Sequence, residues 1–174
     1  ASVFGPGKAW HESGRAVRNR YLTNSAADSL RCARYVADSD RDAVRLSRQG
    51  DYPEGELLVT AATDEDGRLS YTFHDKGGQS VLIRRMNGSE TLDTYYVYDA
   101  CGLLRAVLPP KASAMLESQT GALDMSSATV ADLTYLYRYD RRGRPVGVRR
   151  PGAQEVRYMY DDKDRPLFSP DGVQ

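Results

Sequence analysis

The sequence predicts a mainly β protein, an antiparallel β-meander of repeated hairpins with a short helical or loop insertion near 110–134. Three observations lead there. Turn signals recur at a steady beat: Asp64-Glu65-Asp66-Gly67, Asp75-Lys76-Gly77-Gly78, Asn87-Gly88 and Asp99-Ala100-Cys101-Gly102 start 11, 12 and 12 residues apart. The beat resumes at Asp140-Arg141-Arg142-Gly143, Pro151-Gly152 and Asp161-Asp162-Lys163-Asp164, with starts 11 and 10 apart. Turns at this spacing with apolar or aromatic stretches between them indicate consecutive antiparallel strands. Second, the aromatic content is skewed, with twelve Tyr against three Phe and one Trp, and Ile83 is the sole Ile. Tyr suits a half-covered strand surface, where the ring packs and the hydroxyl reaches water or a partner. Third, the intervals alternate with period two: Tyr135, Tyr137 and Tyr139 share a face, as do Val156, Tyr158 and Tyr160, and Tyr96 and Tyr98.

Residues 1–63 form an N-terminal β-rich segment of degenerate repeats. Strands are expected around Ala16–Tyr21, Leu30–Val36, Val44–Ser47 and Glu56–Ala62. A helix from Ala26 to Tyr35 is the alternative on propensity alone. Residues 64–109 form hairpins closed by Asp-x-x-Gly turns. Asp at the first turn position accepts hydrogen bonds from backbone N–H groups just ahead of it, and Gly at the fourth adopts positive φ. Residues 110–134 interrupt the beat. Lys111–Glu117, with Pro110 at its start, suits a short helix, and Ser126–Leu133 another turn or two; Gly121 separates them. Such an insertion either covers part of the sheet or forms a loop. Residues 135–174 return to hairpins, with Asp164 standing where the other turns have Gly. Asp tolerates the left-handed region better than most residues. Both ends read as cut from a longer chain.

Composition narrows function. Twenty-four basic residues balance twenty-four acidic ones, so no broad field favours nucleic acid. No apolar run is long enough to cross a bilayer, and no membrane insertion is expected. The sequence leaves open whether Cys32 and Cys101 pair, and free or buried thiols are the favoured reading, since a small disulfide scaffold carries more cysteines. His11 and His74 have no nucleophile motif beside them, and no metal or other cofactor is expected. Asp38-Ser39-Asp40-Arg41-Asp42 spaces carboxylates like a calcium loop, but Ala43 and Gln49 stand where that loop needs Gly and Glu, so it reads as a solvated turn. Arg141, Arg142, Arg144, Arg149 and Arg150 read as a solvated basic face, and Trp10 as a core aromatic. The aspartates Asp75, Asp99, Asp140 and Asp161 recur at turns, which places them along a sheet edge instead of around one pocket.

Three segments then align: Tyr96-Val97-Tyr98-Asp99-Ala100-Cys101-Gly102, Tyr137-Arg138-Tyr139-Asp140-Arg141-Arg142-Gly143 and Tyr158-Met159-Tyr160-Asp161-Asp162-Lys163-Asp164. A weaker copy ends in His74-Asp75-Lys76-Gly77-Gly78, with His74 in the Tyr position, and Trp10–Arg15 is a fainter echo. Successive Asp residues lie 24, 41 and 21 positions apart. The pattern resembles the YD repeat of RHS proteins, Tc-toxin cocoon components and teneurins. Phe4-Gly5-Pro6-Gly7, Leu108-Pro109-Pro110 and Pro151-Gly152-Ala153 are similar to segments of RHS-repeat proteins of Bacteroidetes. The resemblance covers residues 64–172 well and 1–63 loosely. It implies a non-catalytic structural segment of a larger RHS-type protein, building a scaffold or shell at the cell surface or in a secreted, toxin-related protein. The implied partners are neighbouring repeats of the parent chain and an encapsulated C-terminal domain. A second copy pairing through edge strands is also expected. The alternative is a carbohydrate- or protein-binding module of the cell envelope, meeting a surface glycan or protein.

Overall fold

The computed structural model describes residues 2–4, 16–38, 40, 43–123, 125 and 128–167. The chain is mainly β. Its strands are β1 (Ser2–Phe4), β2 (Ala16–Thr23), β3 (Ala33–Ala37), β4 (Leu46–Asp51) and β5 (Leu58–Thr63). β6 (Leu69–His74), β7 (Ser80–Asn87), β8 (Glu90–Tyr98) and β9 (Leu104–Leu108) follow as consecutive hairpins. After helix α1 (Pro110–Leu116) come β10 (Gly121–Leu123) and a one-turn helix α2 (Ala128–Ala131). The chain ends in β11 (Tyr135–Tyr139), β12 (Pro145–Arg149), β13 (Val156–Arg157), β14 (Met159–Tyr160) and β15 (Pro166–Leu167). No helix among the described residues is long and apolar enough to cross a membrane.

Contacts divide the chain into two compact units, Ala1–Ala33 with Asp51–Thr94, and Arg34–Gly50 with Tyr95–Gln174. The first carries β1, β2, β5, β6, β7 and the start of β8 as spatial neighbours. Its core is built in rows across the strands. Val59 lies opposite Phe73, which lies opposite Leu82, and all three are fully buried. Burial of each such side chain contributes about 1.5–3 kcal/mol. The next row, two residues along, runs Ala61, Tyr71 and Arg84. A cation therefore occupies a core position, and Arg84 is only 6% exposed.

The second unit carries the end of β8 with β9, β11, β12 and β13. Tyr95 pairs with Leu108 and Val97 with Ala106, giving this unit its buried row. The Tyr35 ring meets Tyr95 edge to face, with centroids 4.8 Å apart. Helix α1 starts at Pro110 as expected, because proline's fixed φ suits a first helical turn that has no use for its missing N–H. The helix buries Ala112, Ser113 and Leu116, and it packs on β9.

Several boundaries differ from the sequence reading. The strand expected at Leu30–Val36 begins at Ala33, and the helix considered for Ala26–Tyr35 is absent. Instead Leu30 and Arg31 both donate to the Ala27 carbonyl in a tight turn before β3. The strand expected at Val44–Ser47 runs from Leu46 to Asp51, and that expected at Glu56–Ala62 runs from Leu58 to Thr63. Strands β3 and β4 leave the meander and form a three-stranded sheet in the order β10-β4-β3, with Leu123 opposite Leu46. The 110–134 insertion therefore contributes a strand as well as helix. The continuous strand expected over 156–160 is two pieces. β13 pairs with β12 and β14 with β15, while the Tyr158 N–H between them donates to the Val146 carbonyl.

Cys32 and Cys101 are both free. Burial pushes the Cys32 thiol far above its ordinary pKa, a rise that nearby Arg84 only partly offsets. Cys101 is exposed. Thiolate, not thiol, reacts. An aromatic disulfide reagent is therefore expected to titrate Cys101 in the folded protein and to reach Cys32 only in denaturant, read as absorbance of the released thiolate.

Candidate functional site

The turn of the repeat motif, opened by Asp, is one device that recurs at five positions among the described residues. At Asp64, Asp75, Asp99, Asp140 and Asp161 the carbonyl accepts the N–H three residues on, at 2.9–3.1 Å. The same five residues donate their own N–H to the carbonyl four residues on. The Asp side chain seals the turn. Oδ1 of Asp140 accepts the N–H groups of Arg142 and Arg144, that of Asp161 accepts Lys163 and Arg165, and that of Asp99 accepts Cys101 and Leu103. Oδ1 of Asp75 accepts the Gln79 N–H. Gly78, Gly102 and Gly143 hold φ of 80°, 76° and 73°, the left-handed conformation that makes Gly the natural residue there.

Three of these hairpins share a further irregularity. The pairing register shifts after Phe73, after Val97 and after Arg138, so that Val81, Arg105 and Val146 are each an extra residue on the returning strand. A bulge of this kind bends the strand and re-aims its side chain. Two of the positions carry Val. The third carries Arg105, whose side chain is 2% exposed and paired at 3.3 Å with Asp99.

The motif tyrosines Tyr96, Tyr98, Tyr137, Tyr139, Tyr158 and Tyr160 are all half-buried. In β8 the fully covered residues are Tyr95 and Val97, so Tyr96 and Tyr98 occupy the opposite, partly open face. In β11 every residue is half-buried, and neither face dominates. His74, in the corresponding position of β6, is also half-buried, with Nδ1 3.2 Å from the Ser80 hydroxyl.

Arginine completes the turns. Arg144 Nε donates to Asp140 Oδ2 and Arg165 Nε to Asp161 Oδ2, each at 2.7 Å. Arg144 also reaches the next repeat. Its Nη1 donates to Asp164 Oδ1, its guanidinium lies 4.4 Å from the Tyr160 ring centroid, and Arg142 donates to the same Asp164 oxygen at 2.6 Å. The Tyr160 hydroxyl returns a bond to the Pro145 carbonyl at 2.9 Å. Asp164 has φ of 60°, the one non-Gly residue with positive φ among the described residues. Its carboxylate engages two arginines that Gly could not, which offsets the backbone strain.

The basic cluster thus differs from a uniformly solvated face. Arg141 and Arg150 are exposed, Arg142 and Arg144 link the Asp140 turn to the Asp161 turn, and Arg149 is half-buried. The aspartates also differ from the edge-only reading, because Asp99 and Asp140 line a common cavity of about 260 Å³ with Arg105 and Cys101. Consecutive hairpins bring neighbouring turns together there. Each carboxylate is engaged by backbone N–H groups and an arginine. Asp38 and Asp40 form a local turn, with the Asp40 N–H donating to Asp38 Oδ1 at 3.1 Å. No cluster of His, Cys, Asp and Glu suited to a metal occurs among the described residues. Trp10, His11, Ser39, Arg41 and Asp42 lie outside the described residues.

The braces set an acid response. Burial works against ionisation of Asp140, but the N–H groups of Arg144 and Arg142 and the Arg144 guanidinium hold its carboxyl below the ordinary range. Asp161 is held low chiefly by the backbone N–H and guanidinium of Arg165. Burial likewise opposes ionisation of Glu155, and Arg138 and Arg157 overcome it. A carboxyl with a depressed folded pKa stabilises fully above its unfolded value and loses that contribution as pH falls through the folded one. Urea midpoints are expected to fall between about pH 5 and about pH 2. The decline should be shallower in a D140N/D161N variant.

Sequence reasoning missed Arg84, Asp93, Arg105, Arg138 and Glu155, all engaged in partly or fully buried ion pairs. Arg105 carried a visible signal, since an Arg stands six residues after a turn Asp where the flanking repeats have Val81 and Val146. Comparisons with family models, with curated proteins and with solved structures find no match to this chain.

Proposed function

We propose that the chain is a non-catalytic structural segment of a larger YD-repeat protein, contributing hairpins to a β-sheet scaffold or shell at a cell surface or in a secreted, toxin-related protein. The observation that carries this reading is the coupling of two successive motif turns, those of Asp140 and Asp161. Arg144 closes its own Asp140 turn and at once holds Asp164 and Tyr160 of the following one. A residue that closes one motif turn and holds the next supports a chain of repeats, because each added repeat contacts mainly its neighbour. The engagement of the turn carboxylates supports a structural role over catalysis.

The test is the parent reading frame, together with a truncation series. Further Tyr-x-Tyr-Asp copies flanking this stretch, followed by an unrelated C-terminal domain protected from protease by them, are the expected result. A frame without further copies would overturn the reading, as would a reproducible turnover abolished by one carboxylate substitution.

A further inference from the structure

A cavity of about 510 Å³ in the second unit has a composition that the turn device does not explain. Its lining brings together Arg45, Arg138, Arg149 and Arg157 with Glu155, the one carboxylate among the described lining residues. The other lining is apolar, from Leu123, Met125 and Leu136. The strand register accounts for this arrangement. Arg138 on β11 and Arg157 on β13 both lie opposite Gly147 on β12, and Arg149 lies opposite Leu136. Gly147 supplies the space between them. A Cβ there would fall 2.6 Å from Glu155 Oε1 and 2.8 Å from Arg138 Nε.

The charges are unequally matched. Glu155 is shared, taking Arg138 at 2.5 and 2.9 Å and Arg157 at 3.0 Å. Arg45 has Asp40 at 3.5 Å. Arg149 Nε and Nη2 are buried and have no hydrogen-bond partner. Native proteins rarely leave buried donors unpaired, least of all on a cation, because desolvation is then uncompensated. Such an exception calls for a reason, and the lining of this cavity suits an anion.

We propose that this cavity binds a small organic oxyanion, a carboxylate or phosphate group carried on an apolar body. The guanidinium fork of Arg149 engages the anion, with Arg157 beside it, and the body lies along Leu123, Met125 and Leu136. Planar guanidinium groups match both head groups in bidentate geometry. The volume falls within the range of small-molecule pockets. Arg149 Nε and Nη2 are buried, so engaging the anion requires this side chain to turn toward the opening. This inference stands apart from the scaffold reading and survives its failure.

Titration calorimetry on the whole chain tests it with four probes: hexanoate, hexyl phosphate, hexanol and inorganic phosphate. At least one of the two amphiphilic anions is expected to bind with a stoichiometry of one, and which of them binds more tightly identifies the head group. Hexanol, lacking the charge, and inorganic phosphate, lacking the body, are expected to bind about tenfold more weakly or less. Arg149→Met is expected to weaken binding about tenfold while raising the melting temperature of the free protein, since it removes an unpaired buried cation. Arg157→Met, the second variant, weakens binding even should the first fail to fold, whereas the exposed Arg141→Met leaves it unchanged. Absence of binding by both amphiphilic anions overturns the proposal. So does hexanol or inorganic phosphate binding as tightly as they do, or affinity unmoved by both cavity variants.

Discussion

Replacing Asp99 by Ala is expected to destabilise the protein by about 3–5 kcal/mol, the range for breaking a buried ion pair by removing one partner. The other turn aspartates should cost much less, although the motif makes them look equivalent. At Asp140 and Asp161 the Arg partner is on or near the surface, so water rehydrates it once the carboxylate is gone. Asp99 and Arg105 have side chains 3% and 2% exposed. Arg105 Nη2 donates to the Asp40 carbonyl, and its Nε has no partner. Loss of Asp99 therefore strands a cation in the core and opens the turn sealed by Cys101 and Leu103. The two contributions separate in a cycle. Arg105→Met removes the cation while keeping the turn, and is expected to cost less than D99A. The D99A/R105M double variant should be more stable than D99A alone, because it no longer buries an unpaired charge. Chemical denaturation of the four proteins measures this. A double variant less stable than D99A would show that the carboxylate acts mainly on the turn.

How much of this was legible in the sequence follows from the range over which each interaction acts. The Asp-x-x-Gly turns were legible because every group that closes them lies within four residues. The same locality made Asp164 readable as a turn residue. Its reason for not being Gly was not readable, because Arg142 and Arg144 lie more than one hairpin away in sequence. Period two identified strands but not which face is covered, so the tyrosines of β8 turned out opposite Tyr95 and Val97. The departure of β3 and β4 from the meander depends on β10, over seventy residues later, and no local pattern encodes that pairing. The break at Tyr158 likewise reflects a bond to the bulge carbonyl of Val146. Bulges themselves are legible only by aligning the repeats, and the alignment shows Arg105 as the odd member.

Asp93→Ala is expected to have an effect of the same order as D99A, about 3–5 kcal/mol, by a different route. Arg84 sits in the core row beside Tyr71, where an apolar residue would ordinarily pack. It is tolerated because its donors are well used. Nε and Nη2 take both Asp93 oxygens at 2.8 and 2.6 Å, and Nη1 takes the carbonyls of Asp28 and Arg31 at 2.8 and 3.0 Å. The guanidinium carbon also lies 5.8 Å from the Phe73 ring centroid. The pair therefore ties β7 and β8 to the turn that precedes β3. Removing Asp93 takes away the carboxylate that engages Nε and Nη2 and leaves the cation buried in the core. Arg84→Met packs the core but releases the carbonyls of Asp28 and Arg31. Global stability should suffer less in R84M than in D93A, whereas hydrogen exchange at Leu30 and Arg31, whose N–H groups form that turn, should rise more in R84M. A hydrophobic pair, R84M/D93L, is expected to recover most of the global stability and none of the turn protection. If the pair recovers both, Arg84 serves only the core, and the turn holds itself.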